Sequence, residues 1–313
     1  MDTPLYNKYS AHIKQRFGAK VYKLCIDLGQ SCPHRSKSDR EKGGCYYCNP
    51  DSFMPSQADS KRDIREQLQQ GAEKYHKKKK GCKFIVYFQA YTSTMETAER
   101  LRASFDEALA FEGVVGIAIS TRPDTLSDEM LALIKEYGEK TYFLLEVGLE
   151  SIHEKSLDFL GRNHPYSDFI DCMERISHCN VETCVHLITG IPGETMDDIA
   201  ATAQEMARLK SVHGVKLHHF HVVKNTPFEK LYNNGSFPVR SLEETIEETI
   251  LFVENLRPDQ KIHRLTGDCN AGFLVAPKLS LSKMGIMNRI DAEMKETGSR
   301  QGRMFSEGSV IRG

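Results

Sequence analysis

The chain has 313 residues, of which 40% are hydrophobic and 27% are charged, and its formal net charge is −1. These values are typical of a globular protein with a substantial core and exclude a highly charged disordered chain. With a net charge near zero, the protein has no overall positive field that would by itself indicate nucleic-acid binding, although a local patch of basic residues would suffice for such binding. The lysine run 77–80, preceded by Lys74, is either such a patch or a solvated helix end.

The chain contains nine cysteines, an odd number that does not match a disulfide framework in a protein of this length. The sequence shows no signal peptide and no run of about 18 apolar residues that would cross a bilayer. We therefore expect a cytoplasmic protein without a membrane partner, in which clustered cysteines bind metal or perform chemistry.

Short apolar runs alternate with amphipathic segments along most of the chain. Near-continuous apolar runs are typical of parallel strands that helices cover on both faces. The predicted strands are 21–28, 83–88, 114–120, 141–148, 181–190 and 215–223, followed by a short strand at 261–267. The predicted helices lie at 97–111, 128–137, after a Thr195 N-cap, at 241–256 and at 282–297.

This alternation predicts an α/β fold, a partial (β/α)6 barrel of the TIM type with a small C-terminal α/β extension. Six strands are too few for a closed eight-stranded barrel. The core is predicted over 1–225, with a lead-in at 1–20, and the extension packs on it over 226–313. In such folds the segments that follow the strands meet on one face, where the chemistry takes place.

Three cysteines follow the first predicted strand with the spacing Cys32-x12-Cys45-x2-Cys48. A structural zinc site takes four protein ligands, and an ordinary iron–sulfur cluster takes four cysteines. Three cysteines therefore leave one metal position open to a substrate or cofactor. The alternative is a zinc site with His34 or Cys25 as the fourth ligand.

The cysteine spacing, the strand-terminal segments STRPD, EVGLES and GIPGE and the β–α alternation resemble the radical S-adenosylmethionine (SAM) superfamily. Within it, they resemble the branch similar to the Elongator catalytic subunit, of the YtqA/YhcC type, over roughly residues 5–300. The resemblance implies a [4Fe–4S] cluster with Cys32, Cys45 and Cys48 as its metal ligands and SAM on the fourth iron. An electron from a reductant such as flavodoxin or ferredoxin would then cleave SAM to a 5′-deoxyadenosyl radical.

The resemblance also implies SAM-binding positions. Tyr47 matches an aromatic position near the adenine, and Glu146 matches an acid near the ribose hydroxyls; Glu150 stands where relatives have a glutamine. Arg122 is expected to bind a carboxylate or phosphate. The other implied cofactor-binding residues are Gln89 and Thr92, where a turn binds the methionine amino group, Ser120 in the STRPD segment, and Gly190 and Pro192, whose backbone passes the adenine. The segment 161–164, GRNH, departs from the NRGH of relatives, and its role stays open.

Cys269, His219 and His221 are the candidate catalytic residues. Cys269 follows a strand within a polar run and is either a radical-quenching or substrate-binding thiol or a buried packing residue. Period-two alternation puts His219 and His221 on one face of their strand and His218 on the other. If the pair faces the interior, it hydrogen-bonds substrate or adenine; the alternative is polar packing at a strand end.

The resemblance implies an enzyme of the oxidoreductase or transferase type that acts on tRNA. The expected reaction remodels the C5 side chain of the wobble uridine, for example from carboxymethylaminomethyl to aminomethyl. The chain is too short to hold the acetyltransferase domain of the Elongator subunit, so we do not expect transfer from acetyl-CoA. Two alternatives stay open: a radical SAM enzyme acting on a small metabolite such as a porphyrinogen, and a non-enzymatic metal-binding scaffold.

Overall fold

The computed structural model describes residues 4–35, 43–56, 58–89 and 91–306, which form nine strands and ten α-helices. The strands are β1 Val21–Ile26, β2 Lys83–Phe88, β3 Val114–Thr121, β4 Tyr142–Glu150, β5 Glu182–Thr189, β6 Gly214–His219, β7 Val222–Val223, β8 Lys261–Arg264 and β9 Leu274–Ala276. The helices are α1 Tyr9–Phe17, α2 Ile64–His76, α3 Ala98–Leu109, α4 Asp128–Lys140, α5 Glu154–Leu160, α6 Tyr166–Ser177, α7 Met196–Arg208, α8 Pro227–Asn233, α9 Leu242–Asn255 and α10 Lys283–Glu296. Parts of the predicted cysteine segment (36–42) and of the C-terminal extension (307–313) lie outside the described residues.

Seven of the described strands form one parallel sheet, here called the main sheet, in the order β1-β2-β3-β4-β5-β6-β8. The sheet curls into a half-barrel, so the predicted partial α/β barrel is confirmed. The seventh strand, β8, comes from the range predicted as the C-terminal extension and pairs with β6. The remaining two strands, β7 and β9, form a separate antiparallel pair.

The two faces of the main sheet bury different side chains. The outer face packs against the helices, where Phe88 of β2 contacts Phe105 of α3 edge to face, and both rings are fully buried. Burial of each such ring contributes roughly 1.5–3 kcal/mol. The inner face holds a smaller apolar cluster that includes Ile85, Ala118 and Leu144. This cluster fills the amino-terminal end of the half-barrel and leaves its carboxyl end for polar groups.

The helices begin where the sequence predicts N-caps. The Thr195 side chain accepts a hydrogen bond from the backbone of Asp198, and the Asp198 side chain accepts from Thr195, which completes a capping box at α7. Ser241 and Glu244 do the same at α9. Within the described part of the chain, no helix is both long enough and apolar enough to cross a membrane.

The predicted strand 215–223 is wrong in one respect, because the chain leaves the main sheet at Phe220. Its ring packs in a second apolar cluster with Phe228 and Phe237, separate from the cluster of the outer face. The backbone resumes as β7 and pairs with β9 instead. An aromatic ring with its own apolar pocket therefore overrides the period-two pattern of the strand.

Candidate active site

A cavity of about 360 Å³ lies at the carboxyl ends of the main-sheet strands. Most of the predicted site residues line it together: Cys32, Cys45, Tyr47, Cys48, Gln89, Thr92, Ser120, Arg122, Glu146, Glu150, His219, His221 and Cys269. Gly190 and Pro192 are not among its described lining residues. Parallel strands deliver their following segments to one edge of a sheet, which explains why positions far apart in sequence meet here.

One side of the cavity, here called the cysteine wall, consists of Cys32, Cys45, Cys48, Thr92, Arg122 and Arg162. The Thr92 hydroxyl donates to the Cys32 sulfur at 3.3 Å. The Arg162 guanidinium donates to the Cys45 sulfur at 3.5 Å, and Arg122 approaches the same sulfur at 3.8 Å. Hydrogen-bond donors and positive charge beside sulfur favour the thiolate, which is the form that binds metal.

Burial acts on these thiols in the opposite direction. It raises the pKa of Cys48 to about 12 and also raises the pKa of Cys32. Without metal, both sulfurs are therefore protonated at neutral pH, and metal binding must displace their protons.

The donor set fits an iron–sulfur cluster that keeps one iron for another ligand, because three thiols line one wall and polar donors face their sulfurs. Among the described residues, no three His, Cys, Asp or Glu side chains converge as ligands of a single metal ion. The two alternative zinc ligands differ in position. His34 lines the cavity. Cys25 lies in β1 and is not a lining residue, and burial raises the pKa of the Cys25 thiol to about 11.

Arg122 is held by its own chain. Its Nε and Nη2 each donate to an Asp124 carboxylate oxygen at 2.9 Å, and Nη2 also donates to the Arg162 carbonyl at 2.6 Å. Although burial acts to raise it, the pKa of Asp124 is lowered by these hydrogen bonds and by the Arg122 charge. Arg122 is thus already paired with a carboxylate of its own chain, and its Nη1 faces Cys45.

Arg162 is a site residue that the sequence interpretation left without a role. It donates to the Tyr47 hydroxyl at 3.3 Å and to the Gly148 carbonyl, and it lies 3.9 Å from a Glu150 oxygen. Burial raises the pKa of Glu150, and the Arg162 charge opposes that rise. The preceding Gly161 has φ +64°, and a Cβ there would lie 2.9 Å from the Tyr46 ring. In the sequence, the signal for Arg162 was its place directly after a glycine, at the end of the short helix that follows β4.

Glu146 lies at the base of the cavity, fully buried, and both its oxygens are already bound by the protein. Lys23 binds one oxygen, while Tyr87, His186 and Lys216 bind the other at 2.6, 2.5 and 2.6 Å. Burial alone would raise the pKa of Glu146, but the two lysines hold it well below its usual range. The residue expected near the ribose is thus an ionised carboxylate whose contacts are all within the protein.

The side of the cavity opposite the cysteines, here called the basic wall, consists of His186, Lys216, His218 and Arg264 from β5, β6 and β8. None of the four belongs to the predicted site. Burial is the largest cause that lowers the pKa of His186 to about 4, and it also holds the pKa of His218 well below its usual range. Both imidazoles are therefore neutral at neutral pH, and Lys216 and Arg264 supply the charge. Polar residues inside otherwise apolar strands were the signal for this wall.

His219 and His221 lie on the same side of the chain, as the alternation predicts. Their Nε2 atoms are 2.6 Å apart, and the His219 Nδ1 pairs with the Thr266 hydroxyl at 2.6 Å. His218, however, also lines the cavity, because it shares the inward face of β6 with Lys216. Residues from both faces of this segment therefore line the cavity.

The remaining predicted residues lie at the edges of the site. Cys269 is half-buried at the cavity margin, where burial raises its pKa and its sulfur donates to the Asn270 carbonyl at 3.5 Å. Gly190 directly follows β5 and has φ +73°, and a Cβ there would meet the Arg240 side chain at 2.9 Å. The backbone conformation beside the cavity therefore requires a glycine at this position.

Comparison with known proteins agrees with this geometry. The model of the Radical SAM superfamily matches residues 31–206, and the Radical_SAM C-terminal domain matches residues 212–296. The chain is 32% identical over 300 residues to the protein YtqA of Bacillus subtilis. This alignment covers 96% of this chain and 92% of YtqA. It is 22% identical over 168 residues to a tRNA uridine(34) acetyltransferase of Methanocaldococcus jannaschii, which covers 53% of this chain and 29% of that protein.

Among solved structures, the archaeal Elp3 of Methanocaldococcus infernus superposes with a TM-score of 0.68 and 17% identity, over 90% of this chain and 64% of that one. This likeness shows a shared fold. The sequence matches and the fold together establish that the chain belongs to the radical SAM superfamily, whose enzymes use a [4Fe–4S] cluster, SAM and a one-electron reductant.

Proposed function

We propose that this protein is a radical SAM enzyme that remodels the C5 side chain of the wobble uridine in tRNA, converting carboxymethylaminomethyl to aminomethyl. The main support is the cavity itself, which has three cysteines with sulfur-directed donors on one wall and a basic wall opposite. A cofactor on the first wall and a substrate against the second would meet within a cavity of about 360 Å³.

Cys32, Cys45 and Cys48 are the residues that would hold the cluster. When bound, the cluster supplies the electron that cleaves SAM and so yields a carbon radical able to remove a hydrogen atom from the substrate. Thr92 and Arg162 would orient the thiolates that they contact, and such supporting hydrogen bonds tune a metal centre. The buried walls would exclude water from the reactive species.

In the proposed conversion, the bond between the amine nitrogen and the carboxymethyl carbon breaks. One water supplies an oxygen, and the carboxymethyl group leaves as glyoxylate, so the substrate loses two electrons and two protons. The two electrons and one proton reduce one SAM to methionine and 5′-deoxyadenosine, and the second proton passes to solvent. Glyoxylate is therefore a required co-product.

The tRNA substrate is supported by the similarity to a tRNA uridine(34) acetyltransferase. The lysine run 77–80 gives this substrate little support. It is exposed between α2 and β2, at the amino end of a strand whose carboxyl end borders the cavity. The 6 residues of β2 separate the two ends by roughly 20 Å at about 3.3 Å per residue. An RNA contact at these lysines would therefore be remote from the reacting nucleotide.

Anaerobic reconstitution with iron and sulfide, followed by dithionite, SAM and tRNA carrying carboxymethylaminomethyluridine, tests the proposal. We expect 5′-deoxyadenosine, glyoxylate and aminomethyluridine in equal amounts, measured by mass spectrometry of nucleosides and by a glyoxylate assay. Formation of 5′-deoxyadenosine with no change in the wobble nucleoside would contradict the tRNA substrate. Absence of 5′-deoxyadenosine from protein loaded with cluster would contradict the enzyme assignment as well.

A further inference from the structure

We propose that the basic wall is the anion-binding end of the cavity, where Arg264, assisted by Lys216, binds a carboxylate of the substrate. The inference rests on the proposed function, in which that carboxylate is the one on the carboxymethylamino group. It assigns substrate recognition to β6 and β8, since these strands lie at the opposite edge of the main sheet from β1, which leads into the cysteines.

Arg264 is oriented but not satisfied by the protein. Its Nε donates to the Leu217 carbonyl at 3.2 Å, which fixes the plane of the guanidinium beside β6. Its Nη2 is buried and has no hydrogen-bond partner among the described residues. Arg264 lines the cavity, so an anion bound there would approach its guanidinium. A buried guanidinium with so few hydrogen bonds is costly, and a ligand carboxylate would reduce that cost.

The arginines of the cysteine wall have more partners within the protein. Arg122 has both oxygens of Asp124, and Arg162 has Cys45, Tyr47 and the Gly148 carbonyl, although the Arg162 Nε is also buried without a partner among the described residues. Arg264 has only its one backbone contact among the described residues. The fork of a guanidinium matches a carboxylate in plane and spacing, so the arginine with the fewest described partners is the one suited to a substrate carboxylate.

The charges around Arg264 also favour an anion. The nearby carboxylate of Glu146 is shared between Lys23 and Lys216, so two ammonium groups already face it. Arg264 adds a third positive charge near the same carboxylate. His186 and His218 contribute none, because both are neutral. Asp268 lies exposed at the cavity margin and attracts Arg264 only at longer range. The inner end of the basic wall therefore carries a net positive charge before any ligand binds.

The experiment compares Arg264→Gln with Arg264→Lys and with Arg289→Gln, a control that removes an exposed arginine on α10. Each cluster-loaded protein is assayed on two tRNAs, one with the carboxymethylaminomethyl group and one with its neutral primary amide. We expect the parent protein and Arg289→Gln to prefer the carboxylate substrate. We expect Arg264→Gln to lose about 10–100-fold in kcat/KM on the carboxylate substrate alone, as for one charged hydrogen-bonding partner. Arg264→Lys should recover part of the preference.

A second measurement does not need tRNA turnover. The thermal midpoint of each cluster- and SAM-loaded protein is measured with three additives: sarcosine, sarcosinamide and inorganic phosphate. Sarcosine reproduces the secondary amine and the carboxymethyl group of the substrate. We expect sarcosine to stabilise the parent and Arg289→Gln, but not Arg264→Gln. Sarcosinamide should stabilise none of them.

The two measurements separate the two proposals. If the tRNA is unchanged by every protein while sarcosine binding depends on Arg264, the carboxylate site stands and the tRNA function falls. If Arg264→Gln converts the carboxylate tRNA as well as the parent does, or loses both tRNAs equally, the carboxylate site is overturned. Stabilisation by phosphate and not by sarcosine would likewise overturn the carboxylate assignment.

Discussion

The two walls of the cavity are built on different principles. On the cysteine wall, each arginine is paired within the protein, and polar donors point at sulfur. On the basic wall, Arg264 has a single hydrogen bond among the described residues, and two histidines stay neutral. Groups with several partners within the protein would hold a fixed shape for a resident cofactor, whereas a cationic wall with fewer partners would suit a ligand that arrives and leaves. Under the two proposals above, cofactor binding belongs to the cysteine wall and substrate binding to the basic wall.

The strongest test of this division is Cys45→Ser on the cysteine wall. A serine hydroxyl is a poor substitute for an iron-ligating thiolate, so we expect loss of the visible iron–sulfur absorbance and of 5′-deoxyadenosine formation. Cys179→Ser changes a half-buried cysteine outside the cavity and should keep both properties. A Cys45→Ser protein with full cluster content would show that the wall has been assigned wrongly.

Arg162→Lys gives the next largest effect. Lysine cannot reach Cys45, Tyr47 and the Gly148 carbonyl at once, so the orientation of the Cys45 sulfur is lost. We expect cluster affinity to fall ~10–100-fold, as for other groups that support metal ligands, and the cluster reduction potential to shift. The matched change Arg175→Lys, at a half-exposed arginine paired with Asp128, should leave both values unchanged. Equal losses in both variants would point to general destabilisation.

The basic wall makes a prediction about pH and stability. Burial, with help from Lys216 and Arg264, lowers the folded pKa of His186 from 6.5 to about 4, while the Glu146 hydrogen bond only partly opposes this. Between these two values the unfolded chain takes up a proton that the folded chain does not, so stability falls as the pH drops. The limiting slope for one such group is roughly 1.4 kcal/mol per pH unit. In His186→Gln, the thermal midpoint should therefore fall less between pH 7 and pH 5 than in the parent.

The smallest expected effect lies outside both walls. Thr195→Ala removes the N-cap of α7 and should lower the free energy of unfolding by about 1 kcal/mol. Because this capping box is remote from the sulfurs, 5′-deoxyadenosine formation per cluster should stay at the parent level below the unfolding temperature. Loss of activity at full cluster content would show that the walls are coupled to the helix layer. Chemical unfolding curves and a turnover assay on the same samples give both quantities.

The grouping of the three cysteines on one wall was predictable, because they follow one strand with a recognisable spacing. The strand limits at β2 and β3 also follow closely from their apolar runs, which are buried on both faces. Periodicity reports which residues of one strand share a face, and this was enough to pair His219 with His221. It does not report how far a strand continues when Phe220 finds a separate apolar pocket.

The basic wall was missed for a different physical reason. Lys216 and Arg264 face each other only because β8 pairs with β6, and a pairing between segments about fifty residues apart has no local signature. Arg162 was missed because its role depends on partners in two segments that are distant from it in the sequence, residues 45–47 and Gly148. A polar side chain in a buried strand is visible in the sequence, but its partner is not. Contacts within the site that depend on register between distant strands therefore needed the structure.

Glu146 has a wider consequence for how this scaffold could change over time. It projects from β4, the middle strand of the main sheet, and its contacts reach β1, β2, β5 and β6. One carboxylate thus ties both flanks of the curved sheet to its centre and fixes the internal radius at that depth. Substitutions that enlarge or narrow the chamber for a different molecule would have to occur nearer the rim, in the loops that this carboxylate does not contact.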